Sequence, residues 1–306
     1  MPLVSVVIPT FGRPDLVQRA VHSALAQTMS DLEVIVVVDG DDPPTQTALA
    51  TIADRRLTVL VQPSMGGAAR TRDAGALAAT GAWVAFLDDD DEWLPEKLER
   101  QLAIAPATPA ILMTRSRVVT PAGTFVRPSE PYEGDEPVDE WLFGRRHWLK
   151  GGPGFLQTSS LMMPRVLFDR LLFRDTRQHE EWELVIRACK ELGYTLVTSL
   201  EPTVIHYDGF ATASLSKSYT WRQSLEWADS MGSLLTRRAY AGFLLVTVAR
   251  VAAAYGNKRG AFSALLRAAV RRGRPTARQL FAFALLAGVP DAARRRLRAR
   301  AEAERD

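Results

Sequence analysis

The sequence predicts an α/β fold: a mostly parallel, doubly wound sheet flanked by helices, followed by a C-terminal helical extension. Two patterns predict it. Short apolar, strand-like runs alternate with helix-patterned stretches over roughly the first 120 residues, and beyond about residue 214 the chain turns helical and Ala/Arg-rich. A third feature, the acidic run Asp88-Asp89-Asp90-Asp91 at the exit of an apolar segment, marks where chemistry would gather. Open α/β sheets bind their ligands at the carboxyl ends of strands.

Length and composition allow this fold. The chain has 306 residues, 47% of them hydrophobic, enough for a substantial core. Its single cysteine, Cys189, cannot form an internal disulfide and reads as a small core hydrophobe, so a reducing cytoplasm is expected. Met1 to Ile8 is apolar without a basic leader, which predicts a first strand rather than a signal peptide. No apolar run approaches the ~18 residues of a membrane span. The net charge is only +3, yet residues 256–306 hold thirteen Lys/Arg against four Asp/Glu, so the rest of the chain carries −6. That asymmetry suits peripheral contact of the tail with an anionic surface, such as the inner face of a membrane; a solvated arginine-rich helix face accounts for it equally well.

Taken in order, Leu3 to Pro9 is a continuous apolar run stopped by proline, the pattern of a strand buried on both faces. After the turn 10–15, helical spacing runs from Leu16 to Gln27. Leu32–Val38 is a second strand ending at Asp39, 45–53 a helix, Leu57–Val61 a third strand, and Ala68–Ala79 a helix closed by Gly81. Trp83–Leu87 is the fourth strand. Leu94-Pro95-Glu96-Lys97-Leu98 then reads as a helix start with proline in its first turn, for which Asp91 and Glu92 serve as starting acids. Further strands are expected over Ile111–Val119, Phe155–Met163 and Tyr194–Thr198, with a turn at Pro121–Thr124. Glu180-Glu181-Trp182 leads a helix running to Leu192. Trp141, Phe143 and Trp148, near the glycine-rich stretch Lys150–Gly154, suit either a sugar-stacking platform or a core. In the tail, Ala239–Ala254, Gly260–Arg272 and Thr276–Ala287 are candidate helices, and residues 291–306 are expected to fray.

The four adjacent aspartates need a physical reason. One would cap a helix and a second would suit its dipole. Four repel one another unless something positive offsets them, and oxygen ligands in such number suit a hard divalent cation.

Val4 to Phe11, Asp39 after the second strand, Arg72-Asp73-Ala74-Gly75, and Phe86 to Trp93, in register with Glu180-Glu181-Trp182, resemble family 2 of the glycosyltransferases, with the GT-A fold. The resemblance spans roughly Leu3 to Tyr207 and leaves the helical tail outside. It implies that Pro9, Thr10 and Phe11 lie beside the nucleotide base and that Asp39 accepts hydrogen bonds from uracil and ribose. Arg72 would sit near the base or diphosphate. Asp88 and Asp90 would hold Mn²⁺ or Mg²⁺ on the donor diphosphate, with Asp89 facing ribose or sugar. Glu181 falls at the position of the family's catalytic base, with Glu180 as understudy. His206 is a candidate further metal ligand, because related folds bring a histidine from such a late segment; a lone His after a strand is also an ordinary packed residue.

Three departures stand out. Gly40 follows Asp39 where a second Asp is usual, Asp73 replaces an Asn, and Glu181 replaces an Asp one methylene shorter. The processive enzymes' Gln-any-any-Arg-Trp signature is missing, which points to single transfer. The implied activity is metal-dependent inverting transfer from a UDP-sugar to a hydroxyl of a saccharide, lipid carrier, natural product or peptide. Residues 1–213 would form the catalytic domain, with a donor half over about 1–120 and an acceptor half over about 121–213, and 214–306 the Arg-rich helical region. A sugar-nucleotide nucleotidyltransferase is the alternative, although the Gly-rich, lysine-bearing loop that holds a triphosphate is missing. A non-catalytic nucleic-acid binder is less favoured, given the −6 body and the lack of a nucleic-acid motif.

Overall fold

A computed structural model describes residues 1–148, 154–176, 178–209, 220–255 and 258–289. The glycine-rich stretch over 150–153 and the terminal residues 291–306 lie outside the described residues. The chain divides into two compact units, one of Met1–Gly134 with Leu156–Thr212, the other of Asp135–Phe155 with Ala213–Asp306.

The first unit is built on one nine-stranded sheet. β1 (Val4–Thr10), α1 (Pro14–Leu25), β2 (Leu32–Val38), α2 (Pro43–Ala50), β3 (Leu57–Val61), α3 (Gly67–Ala78) and β4 (Trp83–Phe86) follow the predicted alternation. Their strands pair in parallel in the order β3-β2-β1-β4. Every β1 residue is buried, because helices cover both faces. The core comprises Val4, Val6, Ile8, Val34, Val36 and Val38 of the sheet and Val17, Val21 and Leu49 of the helices.

Beyond β4 the sheet is mixed. β5 (Glu92–Trp93), α4 (Lys97–Leu102), β6 (Ala110–Thr120) and β7 (Gly123–Arg127) come next, then α5 (Val138–Phe143), which belongs to the second unit, then β8 (Leu161–Pro164), α6 (Glu180–Leu192) and β9 (Thr195–Tyr207). The order continues β4-β8-β6-β9-β5, with β8 antiparallel to β4 and β6, and β9 parallel to β6.

Several expectations need correction here. Asp91 and Glu92 do not start a helix: Glu92 and Trp93 pair with Ile205 and Val204 of β9, and α4 begins only at Lys97, so Pro95 precedes it. The turn expected at Pro121–Thr124 is present, as the hinge of a β6–β7 hairpin. The strand expected over Phe155–Met163 is a 3₁₀ turn at Thr158–Ser160 followed by the short β8. The last strand runs on through Glu201-Pro202 to Tyr207, because register shifts around Arg115 absorb a proline that cannot donate to the ladder.

The second unit is helical. It comprises α5, α7 (Trp221–Ser230), α8 (Arg237–Gly242), α9 (Ala249–Tyr255), α10 (Lys258–Arg272) and α11 (Ala277–Gly288), with α5 packed on α8 and, through Phe143, on Trp227 of α7. The helix expected over Ala239–Ala254 is interrupted by a π-helical stretch at Phe243–Val248. Phe243 is ringed by Phe143 and Trp227, each with its ring centroid 4.9 Å away. Trp141 and Phe143 are thus core, whereas Trp148 is exposed. Among the described residues, no helix is long and apolar enough to cross a membrane.

Candidate active site

Parallel pairing brings the ends of β1, β2 and β4 to one edge, where Thr10, Asp39 and the acidic run emerge. Pro9 and Thr10 are buried there and Phe11 is exposed. Asp39 accepts hydrogen bonds from the backbone N–H groups of Gly66 (2.6 Å) and Gly67 (2.9 Å), pinning the turn that starts α3. Gly67 needs its φ of +81° for that turn. A carboxylate oxygen keeps further lone pairs beyond one backbone bond.

α3 directs Arg72 inward. Its guanidinium donates to Asp88 Oδ1 at 2.7 Å and to Glu180 Oε2 at 3.4 Å, linking the end of β4 to the start of α6. Burial works against its charge, but Asp88, Glu180 and Glu181 more than offset this and raise its pKa. Its Nε is buried without a hydrogen-bond partner.

The four aspartates separate by role. Asp88 takes Arg72, while its backbone N–H donates to Ser159 Oγ at 3.0 Å. Asp89 accepts from Thr10 Oγ1 and from Arg13 Nη1, both at 2.8 Å. Asp90 takes the same Arg13 nitrogen at 3.1 Å. Burial and the three neighbouring aspartates still push the Asp90 carboxyl up to about 7. Asp91 is fully buried and accepts from Ser159 Oγ at 2.6 Å, from Gln157 Nε2 and from His206 Nδ1 at 2.9 Å. His206, expected as a metal ligand, holds Asp91 through Nδ1, a pairing that also orients a ligating imidazole. Burial disfavours its charge, but Asp91 prevails and raises its pKa to about 9. Glu92 accepts from Tyr207 Oη at 2.7 Å and pairs with Arg19 Nε at 3.2 Å.

At the start of α6, His179 adopts a left-handed φ of +64° and stacks on Trp182 with centroids 4.7 Å apart. The indole N–H of Trp182 donates to Leu156 O at 3.0 Å, which fixes the first turn. Burial pushes Glu181 up to about 7; Glu180 and Asp88 add to the rise, and Arg72 opposes it.

Among the described residues, no three His, Cys, Asp or Glu side chains converge as a ready-made cation cage. Asp88 and Asp90 nevertheless suit a hard divalent cation: both are partly open to solvent, at 24% and 31%, and Asp90 carries repulsion that Arg13 only partly relieves. The edge therefore gathers Thr10, Asp39, Arg72, Asp88, Asp89, Asp90, Glu180 and Glu181, and leaves His206 on Asp91. Arg13, Arg19, Ser159 and Gln157 are further partners of the acidic run that motif reading misses. One signal was present: four adjacent carboxylates require cations from the chain as well as from solution, and Arg13 stands just past the first strand.

A mixed α/β sheet with acids at the ends of its parallel strands and an arginine of α3 against them has the architecture of the GT-A glycosyltransferases. Solved structures of that class share the fold. One is the mannosyltransferase PcManGT from Pyrobaculum calidifontis in complex with GDP-Man and Mn²⁺, with a TM-score of 0.60 at 18% identity over 97% of this chain and 83% of that one. Another is S. aureus TarS 1-349 in complex with UDP-GlcNAc, with a TM-score of 0.53 at 16% identity over 89% and 72%. The Glycosyl transferase family 2 model matches residues 5–172, more than half the chain, and the chain belongs to that family. The amylovoran biosynthesis glycosyltransferase AmsB of Erwinia amylovora is 28% identical over 76% of this chain and 79% of its own length. The Escherichia coli glucosyltransferase WfaP, named as using UDP-Glc on α-D-GlcNAc-diphosphoundecaprenol, is 33% identical over 33% of this chain and 41% of its own. This chain thus spans less than half of WfaP. Family membership sets aside the nucleotidyltransferase and nucleic-acid-binding alternatives.

Proposed function

We propose that this chain is a metal-dependent, inverting glycosyltransferase that moves one sugar from a UDP-sugar to a hydroxyl of a saccharide acceptor, free or carried on a lipid. The observation that carries this reading is the Arg72 guanidinium, which holds Asp88 and Glu180 together and so sets the acidic run beside the α6 acids. The UDP-GlcNAc bound by TarS and the UDP-Glc in the name of WfaP favour uridine over the guanosine nucleotide of PcManGT. The names of AmsB and WfaP favour a growing glycan as acceptor.

In this reading Pro9, Thr10, Phe11 and Asp39 border the nucleotide, residues 1–120 serve the donor and 121–213 the acceptor. Asp88 and Asp90 hold Mn²⁺ or Mg²⁺, which offsets charge on the departing diphosphate when bound. Arg72 offers its unpartnered Nε to a diphosphate oxygen, and Asp89, fixed by Thr10 and Arg13, faces the ribose or sugar. Glu181 takes the proton of the acceptor hydroxyl as that oxygen bonds the anomeric carbon and the bond to the diphosphate breaks, giving UDP and the inverted glycoside. A carboxyl near 7 holds such a proton well and is still ionised in part at neutral pH. Glu180, tied to Arg72, steadies the pair. His206, oriented by Asp91 through Nδ1, is the further candidate ligand through its other ring nitrogen.

Thermal midpoints with UDP, GDP, TDP and CMP, each with and without Mn²⁺, test the donor. Stabilisation is expected with UDP, only when metal is present, and not in Asp90→Ala; equal shifts with every nucleotide would refute the assignment. For the base, Glu181→Gln is expected to keep the UDP–Mn²⁺ shift and lose transfer by about 10²–10⁴-fold. Undiminished turnover would move the role to Glu180.

A further inference from the structure

Helix α11 is apolar on both sides. Ala282, Phe283 and Leu286, with Gln279, are buried on its inner side. The opposite stripe, Ala277, Leu280, Phe281, Ala284 and Gly288, is exposed, with Leu280 at 38% and Phe281 at 37%. A helix that keeps one side in water normally turns polar residues to it, and one apolar all round is normally covered all round. Trp148, itself 49% exposed, stands edge-on to Phe281 with centroids 5.3 Å apart and widens the patch. Arg145 Nη2 donates to Trp148 O at 2.6 Å, bringing a guanidinium to its margin.

The charge along α10 and α11 has one sign. Residues 258–289 hold seven Lys/Arg and no Asp/Glu. Arg278, on α11 itself, and Arg267 and Arg271, on α10, are exposed.

We propose that this face, α11 with Trp148, docks on an anionic phospholipid bilayer. Trp148, Leu280 and Phe281 enter the boundary between headgroups and acyl chains, and the arginines meet lipid phosphates. A second copy of the same face is a poor occupant, since it would bring like charge against like charge. The chain's own residues 290–306 are also poorly suited, with six Arg against four Asp/Glu. No described helix spans a bilayer, so the contact is one of lying on the surface. The inference uses none of the residues at the strand ends and stands whatever the donor.

Flotation of the full chain with vesicles of phosphatidylcholine alone, and of phosphatidylcholine mixed with phosphatidylglycerol, tests it. The protein is expected to float with the anionic vesicles only, and less so as salt rises. L280E/F281E should lower the bound fraction by roughly tenfold or more, while leaving the UDP–Mn²⁺ thermal shift intact. If that double variant fails to fold, F281S and R278S serve instead, each with a smaller loss. Three results would overturn the proposal: no flotation of the wild type, equal flotation of wild type and folded variants, or a dimer that L280E/F281E dissolves.

Discussion

Burial and three neighbouring aspartates oppose the charge on Asp90, and Arg13 offsets part of that. One guanidinium nitrogen serves both Asp89 and Asp90. Arg13→Gln should therefore lower stability in chelator by about 1–3 kcal/mol, a range discounted for partial exposure. It should also enlarge the stabilisation that Mn²⁺ confers, because the cation would then supply all of the compensation. Thermal midpoints with and without Mn²⁺ measure both, and an unchanged metal response would disprove the link. A second consequence concerns pH. Asp73, Asp90 and Glu181 are raised to about 6, 7 and 7, so each binds its proton more tightly folded than unfolded. The stability this contributes is complete below about pH 4 and is lost as pH rises through 6 to 7. Denaturant titrations in chelator should show Glu181→Gln matching wild type near pH 4 and exceeding it above 7, while wild-type transfer rises across the same window. The acids themselves were legible in the sequence, since four in a row have no other economical reason. Arg13 was not, because which arginine meets them depends on how the loop after β1 folds back.

At the scale of the element, α3 reaches β1 only because position 75 lacks a side chain. A Cβ there would lie 2.3 Å from Val7 Cγ1, in a sheet with no slack. Gly75→Ala should push the helix outward, cost about 1–3 kcal/mol, and weaken UDP–Mn²⁺ binding because Arg72 sits one turn away. Retained donor binding in a folded Gly75→Ala protein would show that Arg72 does not need this close approach. The glycine was visible in the sequence as part of the motif, but its packing role was not. The same division holds elsewhere. β1 to β4 were readable because both faces are buried and apolar runs leave no other interpretation. β5 and the second half of β9 were not, because Glu92 and Pro202 argue locally against strand, and only pairing between the two segments overrules them.

At the scale of the whole molecule, the second unit is assembled from two stretches far apart in sequence. The parallel half of the sheet follows from local pattern, whereas the partners of Trp141 and Phe143 could not be assigned from their neighbourhood. Truncation after residue 213 should thus leave Phe143 without Trp227 and Phe243, and the shortened chain should aggregate even though it keeps every strand. Light scattering of residues 1–213 checks this, and a monodisperse product would contradict it. Vectorial synthesis meets the same constraint. α5 leaves the ribosome well before α7 and α8 exist to cover it, while β8, α6 and β9 are still arriving to complete the sheet. For that interval the nascent chain exposes an aromatic segment with no cognate surface.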